Sequence, residues 1–190
     1  MRKSYALLIA LFFCGILLES CGKKKQDEGV NEEEMMGAME GENEERASPL
    51  LTTEGTVGGK KISIQYGAPS VKGRVIWGDL VPYEEVWRTG ANEATYLSFS
   101  EDLIVEGERL PAGKYSLFTI PKEDEDWTLI FNSEWNLKHG HYQYDEDNDV
   151  LRVEVSPQWV EESQEQLSFE VKPPGIVIKW EKLVFPITVE

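Results

Sequence analysis

Beyond about residue 56 the chain alternates apolar and polar residues in short runs, and no window carries a convincing helical period. A period of two puts alternate side chains on opposite faces of a strand, whereas a helix needs a period near 3.6. Ile62, Ile64 and Tyr66 share one face of a first run, and Thr95, Leu97 and Phe99 share one face of a second. Leu103–Val105 and Leu110 flank Glu106-Gly107-Glu108-Arg109, which reads as a hairpin around Gly107. Gly113–Ile120 is stopped by Pro121, and further runs follow at 127–132, 150–156, 167–171, 176–180 and 183–189. That makes roughly nine short, mostly antiparallel strands separated by turn residues. The expected fold is all-β, a β-sandwich in preference to a closed barrel.

The start of the chain has a different character. Met1-Arg2-Lys3 is basic, and Ala6–Leu18 is an apolar run of about 13 residues, shorter than the ~20 that a bilayer-spanning helix needs. A basic start, an apolar stretch and a small residue before a cut describe a secretory signal, here residues 1–20. Leu18-Glu19-Ser20-Cys21-Gly22 resembles the lipobox of bacterial lipoproteins, with Glu19 departing from the usual small or apolar residue. The resemblance implies a lipid thioether on Cys21, cleavage before it, and acylation (palmitate or a similar chain) of the new amine. Two or more chains give a stable membrane anchor. The expected location is the bacterial cell envelope, at the outer membrane.

Residues 21–55 are rich in Glu and Gly and lack aromatics, so they read as a flexible acidic tether. Lys23-Lys24-Lys25 followed by Asp27 and Glu28 also suits a surface-export address, which competes with the simple spacer. The sequence thus divides into signal (1–20), lipidated cysteine and tether (21–55), and one folded module (56–190). A formal net charge of −16 argues against nucleic acid and against docking on anionic lipid. Of the two cysteines, Cys14 lies in the signal, so the mature chain keeps only Cys21 and has no internal disulfide.

Several stretches together resemble a family. Tyr66-Gly67-Ala68-Pro69-Ser70-Val71-Lys72-Gly73-Arg74, Leu80-Val81-Pro82-Tyr83 and Val86-Trp87-Arg88-Thr89-Gly90-Ala91-Asn92-Glu93-Ala94-Thr95 carry the resemblance. So do Ala112–Pro121, Trp127–Asn132, Tyr144-Asp145 and Asp149–Val153. The module is similar to the bacterial domain of unknown function 2911. The resemblance implies an exported or lipid-anchored protein and brings no activity, substrate or catalytic residue. Where members often carry Trp-Gly-x-Tyr, this chain has Lys138-His139-Gly140-His141-Tyr142.

Residues 66–95 are the densest in binding chemistry, with Lys72, Arg74, Trp77, Asp79, Tyr83, Trp87, Arg88 and Asn92 among Gly and Pro. Loops on a rigid scaffold carry binding groups. Arg offers a planar fork, Asn a donor and an acceptor, and Trp a flat apolar face. The candidate ligand site is therefore Trp77, Arg88 and Asn92. The competing reading makes Arg88 an ion-pair partner of Asp79 or Glu85, Asn92 a turn residue and the tryptophans core.

His139 and His141 would share a face on an extended strand, and with Asp145 or Glu146 could hold zinc or copper. Two ligands without a third fixed by spacing form a weak pattern, and a surface turn is the better reading. Asp145–Asp149 alternates oxygens as a calcium loop does, but Val150 and Ser156 stand where Gly and Glu are required. No nucleophile elbow, phosphate loop or His-Glu-x-x-His is present, so no catalytic residue and no cofactor are expected. The leading expectation is a non-enzymatic envelope lipoprotein that binds a small polar or glycan-like ligand or a partner. The alternative is a carboxylate- or metal-dependent hydrolase of envelope polymers.

Overall fold

The computed structural model describes residues 46–190. The signal segment, Cys21 and the tether up to residue 45 lie outside the described residues.

The module is nearly all β. Its ten strands are β1 (Leu50–Val57), β2 (Lys60–Gly67), β3 (Tyr96–Phe99), β4 (Leu103–Val105), β5 (Glu108–Leu110), β6 (Gly113–Ile120), β7 (Trp127–Asn132), β8 (Asp149–Val155), β9 (Gln158–Lys172) and β10 (Gly175–Thr188). Two short 3-10 turns, Gly140–Gln143 and Glu146–Asn148, fall between β7 and β8. Six strands form one antiparallel sheet in the order β1-β2-β3-β6-β7-β8. The long β9–β10 hairpin forms the second layer. The β4–β5 hairpin joins the end of β10 through Val105–Val189 pairing and reciprocal Ile104–Glu190 backbone bonds.

The core lies between the layers. Ile62 and Ile64 from β2, Leu97 from β3, Leu117 from β6 and Trp127, Leu129 and Phe131 from β7 meet the apolar face of β10. That face changes parity along the strand. Ile176, Ile178 and Trp180 are buried, and after an irregularity at Glu181 (φ +53°) so are Leu183, Phe185, Ile187 and Val189. An extra residue at a bulge flips which positions face inward, so both series reach one core. The central strands are buried on their other face too. Phe118 and Ile130 pack there with Ala94 and Leu137, which connecting segments bring across the sheet.

Two boundaries differ from the expectation. The module begins before residue 56: β1 pairs along its whole length with β2, and the Ala68 N–H donates to Pro49 O. Gly58 and Gly59, at φ +57° and +85°, make the two-residue turn that joins them. Leu50 and Leu51 open β1, but Thr52, Thr53, Glu54 and Gly55 carry the polar composition of the preceding residues into this edge strand, and this hid it. The first half of β9, Gln158–Glu165, is wholly exposed, so it lacks the one-sided alternation by which a strand is recognised.

Candidate functional site

Residues 68–95 connect β2 to β3 and are held by backbone bonds throughout. Val71 N donates to Glu165 O, Val81 N to Ile76 O, Glu84 N to Pro121 O, Ala91 N to Gly67 O and Ala94 N to Leu137 O. A connection this long inside a compact domain is unusual and is commonly functional. Trp87 exchanges backbone bonds with Thr119 of β6, prolonging the line of β3. Residues 89–94 then make an excursion, and the chain returns at Thr95, whose N–H donates to Arg88 O and whose hydroxyl donates to Thr89 O. Thr89 is fully buried at φ +53°. A β-branched residue in the left-handed region is strained, and such strain persists only where surrounding contacts over-determine it. That strained residue immediately follows Arg88.

Beside this excursion lies a cleft of about 480 Å³, within the size range of small-molecule sites. Its chemistry comes from Arg74, Glu85, Arg88, His141 and Tyr142, and Trp87 and Trp180 form part of its apolar wall. Arg88 Nη1 donates to Nδ1 of His141 at 2.7 Å. An imidazole nitrogen accepts only when unprotonated, so the bond places the neutral ring's proton on Nε2. Burial, and then the adjacent guanidinium, push the His141 pKa below its ordinary value, against a smaller opposing pull from Glu85. Burial likewise lowers the Arg88 pKa. Arg88 Nε is buried with no hydrogen-bond partner, and among the described residues Arg88 makes no ion pair. The indole N–H of Trp180, in the same wall, is also buried without an acceptor.

The expected trio is not brought together. Arg88 lines the cleft; Trp77 and Asn92 do not. Trp77 is half-buried, with its ring 5.0–5.9 Å from those of Trp87, Trp127, Trp159 and Trp180, so it is a core piece and not a platform. Asn92 is exposed at φ +64°, a turn residue. The ion pair expected in the competing reading is absent too, since neither Asp79 nor Glu85 bonds Arg88. The carboxylate in this region that is paired is Glu93, held by Arg46 at 2.5 Å.

The two histidines do not form a metal pair. His139-Gly140-His141 opens a 3-10 turn, not an extended strand; His139 is exposed, and its N–H donates to Gln143 Oε1. Among the described residues no group of three His, Cys, Asp or Glu side chains is placed to hold a metal ion. The acidic stretch 145–149 is structural as well. Asp145 caps Asp147 N, and Asp149 accepts from Asn132 Nδ2, Tyr144 Oη and Arg152 Nε.

Sequence reasoning missed His141 and Tyr142 as neighbours of Arg88. The available signal was Gly140, at φ +53°, whose missing side chain leaves room for the Arg88 shaft: a Cβ there would lie 2.1 Å from Arg88 Cδ.

The layered β architecture and the motifs around this cleft define a β-sandwich domain of one sequence family. The chain belongs to the family described as "Protein of unknown function (DUF2911)", which matches residues 48–189. No curated protein and no solved structure matches the chain.

Proposed function

We propose that this protein is a lipid-anchored envelope component whose β-sandwich binds a small polar ligand in the Arg88 cleft. The observation that carries the binding reading is the state of Arg88: a half-buried guanidinium with no carboxylate partner among the described residues. A charge withdrawn from water without a counter-charge is costly, and a ligand that supplies polar oxygens offsets that cost. The sequence supports the anchor through Cys21 and its preceding lipobox-like residues.

Two experiments test this. Melting temperatures of the protein are followed against sugars, peptidoglycan fragments, amino acids and divalent metals, with Arg88→Ala and Arg88→Lys beside it. A ligand that binds only the folded state raises the melting temperature in proportion to its saturation. The expected result is a rise that disappears in a still-folded Arg88→Ala variant; no rise with any compound would sink the reading. Incorporation of a labelled fatty acid that is lost in Cys21→Ser supports the anchor, and incorporation unaffected by that change refutes it.

A further inference from the structure

We infer that the ligand of this cleft carries an oxyanion, a carboxylate, sulfate or phosphate-ester group that sits against Arg88 with Arg74 and His141 beside it. The inference rests on the cleft being the binding site and goes further in naming the ligand's chemistry. The distribution of charge is the first argument. The chain carries a formal net charge of −16, yet the cleft lining gathers two guanidinium groups, Arg74 and Arg88, beside a neutral His141 and against the carboxylate of Glu85. The nearby Glu93, which also acts on Arg88, is paired with Arg46. A cationic wall within an acidic protein focuses field on one spot and selects anions from solution.

The hydrogen bonds give the second argument. Arg74 donates from Nε to Val71 O and from Nη2 to Ser70 O, both carbonyls of its own connection. These bonds fix the guanidinium in place without neutralising it. Arg88 is held by one bond, from Nη1 to the neutral His141 ring. Its Nη2 donors have no partner among the described residues, while its buried Nε shows how far the group is withdrawn from water. Low local dielectric strengthens the attraction of such a group for an anion. Charge-assisted bonds from guanidinium to carboxylate, sulfate or phosphate are the strongest this chemistry offers.

The third argument weighs against a neutral sugar. Sugar rings stack on open aromatic faces, and the cleft lining offers the single exposed ring of Tyr142, 83% exposed; Trp87 and Trp180 are 8% and 1% exposed and stacked on each other at 5.7 Å. Their contribution is a dry wall. Metal cations are disfavoured by the same two guanidinium groups.

The test is a nuclear magnetic resonance titration of the full chain with sodium sulfate, against sodium chloride at matched ionic strength and against N-acetylglucosamine. With only two histidines in the chain, the His141 ring signals are identified through His141→Gln, and the Trp87 and Trp180 indole signals through their phenylalanine variants. Sulfate is expected to move the cleft signals saturably while His139 stays still. Arg88→Gln should weaken sulfate about tenfold or more, and Arg88→Lys, which keeps the charge without the planar fork, should retain part of the affinity. If N-acetylglucosamine moves the cleft signals and sulfate does not, the oxyanion assignment falls and the cleft remains a site for a neutral ligand. If neither moves them, both readings fall. Undiminished sulfate binding in a folded Arg88→Gln variant would overturn the assignment to Arg88.

Discussion

Arg88 and His141 are joined by a 2.7 Å bond that exists only while Nδ1 of the imidazole is unprotonated. Folding therefore favours the neutral ring, and burial together with the neighbouring guanidinium depresses the His141 pKa below 6.5. A group whose folded pKa is depressed contributes stability above its unfolded pKa. That contribution is lost as pH falls through the folded value, because the unfolded chain takes the proton more readily. Replacing His141 by Gln removes the titration but leaves every other group in place. The melting temperature of the protein relative to His141→Gln should fall as the pH is lowered through and below the ordinary histidine value of 6.5. A difference that stays constant across this range would mean that the bond does not form in solution.

Gly140 stands where the Arg88 shaft passes. A methyl group there would lie 2.1 Å from Arg88 Cδ, on a backbone at φ +53°. Left-handed backbone alone costs a non-glycine residue roughly 1–2 kcal/mol. Gly107, at φ +86° with nothing within 4 Å of an added Cβ, isolates that backbone cost. Gly140→Ala should destabilise the protein by more than Gly107→Ala and should also weaken ligand binding, because the arginine must move. Chemical denaturation of both variants measures the difference. Equal effects would show that the shaft adjusts freely.

From residue 60 onward the fold was legible where a strand has one buried face, which leaves a one-sided imprint, and not in the wholly exposed first half of β9. β2 buries Ile62, Ile64 and Tyr66 and exposes or half-exposes the residues between. The hairpin at Glu106-Gly107 was legible because both residues take positive φ, which favours glycine. The same chemistry at Gly58-Gly59 ends β1, but the polar residues Thr52–Gly55 made the strand read as tether. In the cleft, Arg88 drew notice from its residue type and loop-like setting, and the structure places it in the lining. Its partners were not legible, because His141 is 53 positions away and meets Arg88 only when the segments between β2 and β3 and between β7 and β8 converge. Trp77 was misplaced for a related reason. An indole in a loop-like stretch reads as a binding surface until other indoles are seen to enclose it.

Asn92 separates the earlier trio from the observed cleft. It is exposed, at φ +64°, and does not line the cleft. Asn tolerates the left-handed region better than most side chains, and glycine adopts it freely. Asn92→Gly should leave stability within a few tenths of a kcal/mol, whereas Asn92→Ala should cost about 1 kcal/mol. Neither should change the affinity of a ligand that depends on Arg88. A tenfold affinity loss in Asn92→Gly would return this residue to the site.

Gly55 tests whether the module includes β1. Its α-carbon lies against β9, so a Cβ there would meet Val171 O at 2.1 Å and Val171 Cβ at 2.7 Å. A carbonyl oxygen in a paired strand cannot swing aside as a side chain can, so β1 and β9 would have to separate. Overpacking of this kind typically costs about 1–3 kcal/mol, and the backbone contact places Gly55→Ala toward the upper end. For a domain of this size each kcal/mol lowers the melting temperature by about 3–5 °C. Thr56→Ala, at the exposed neighbouring position, should have little effect and serves as the control. If Gly55→Ala melted with the parent protein, residues 50–57 would not be docked on β9, and the tether would extend to the boundary that composition alone suggests.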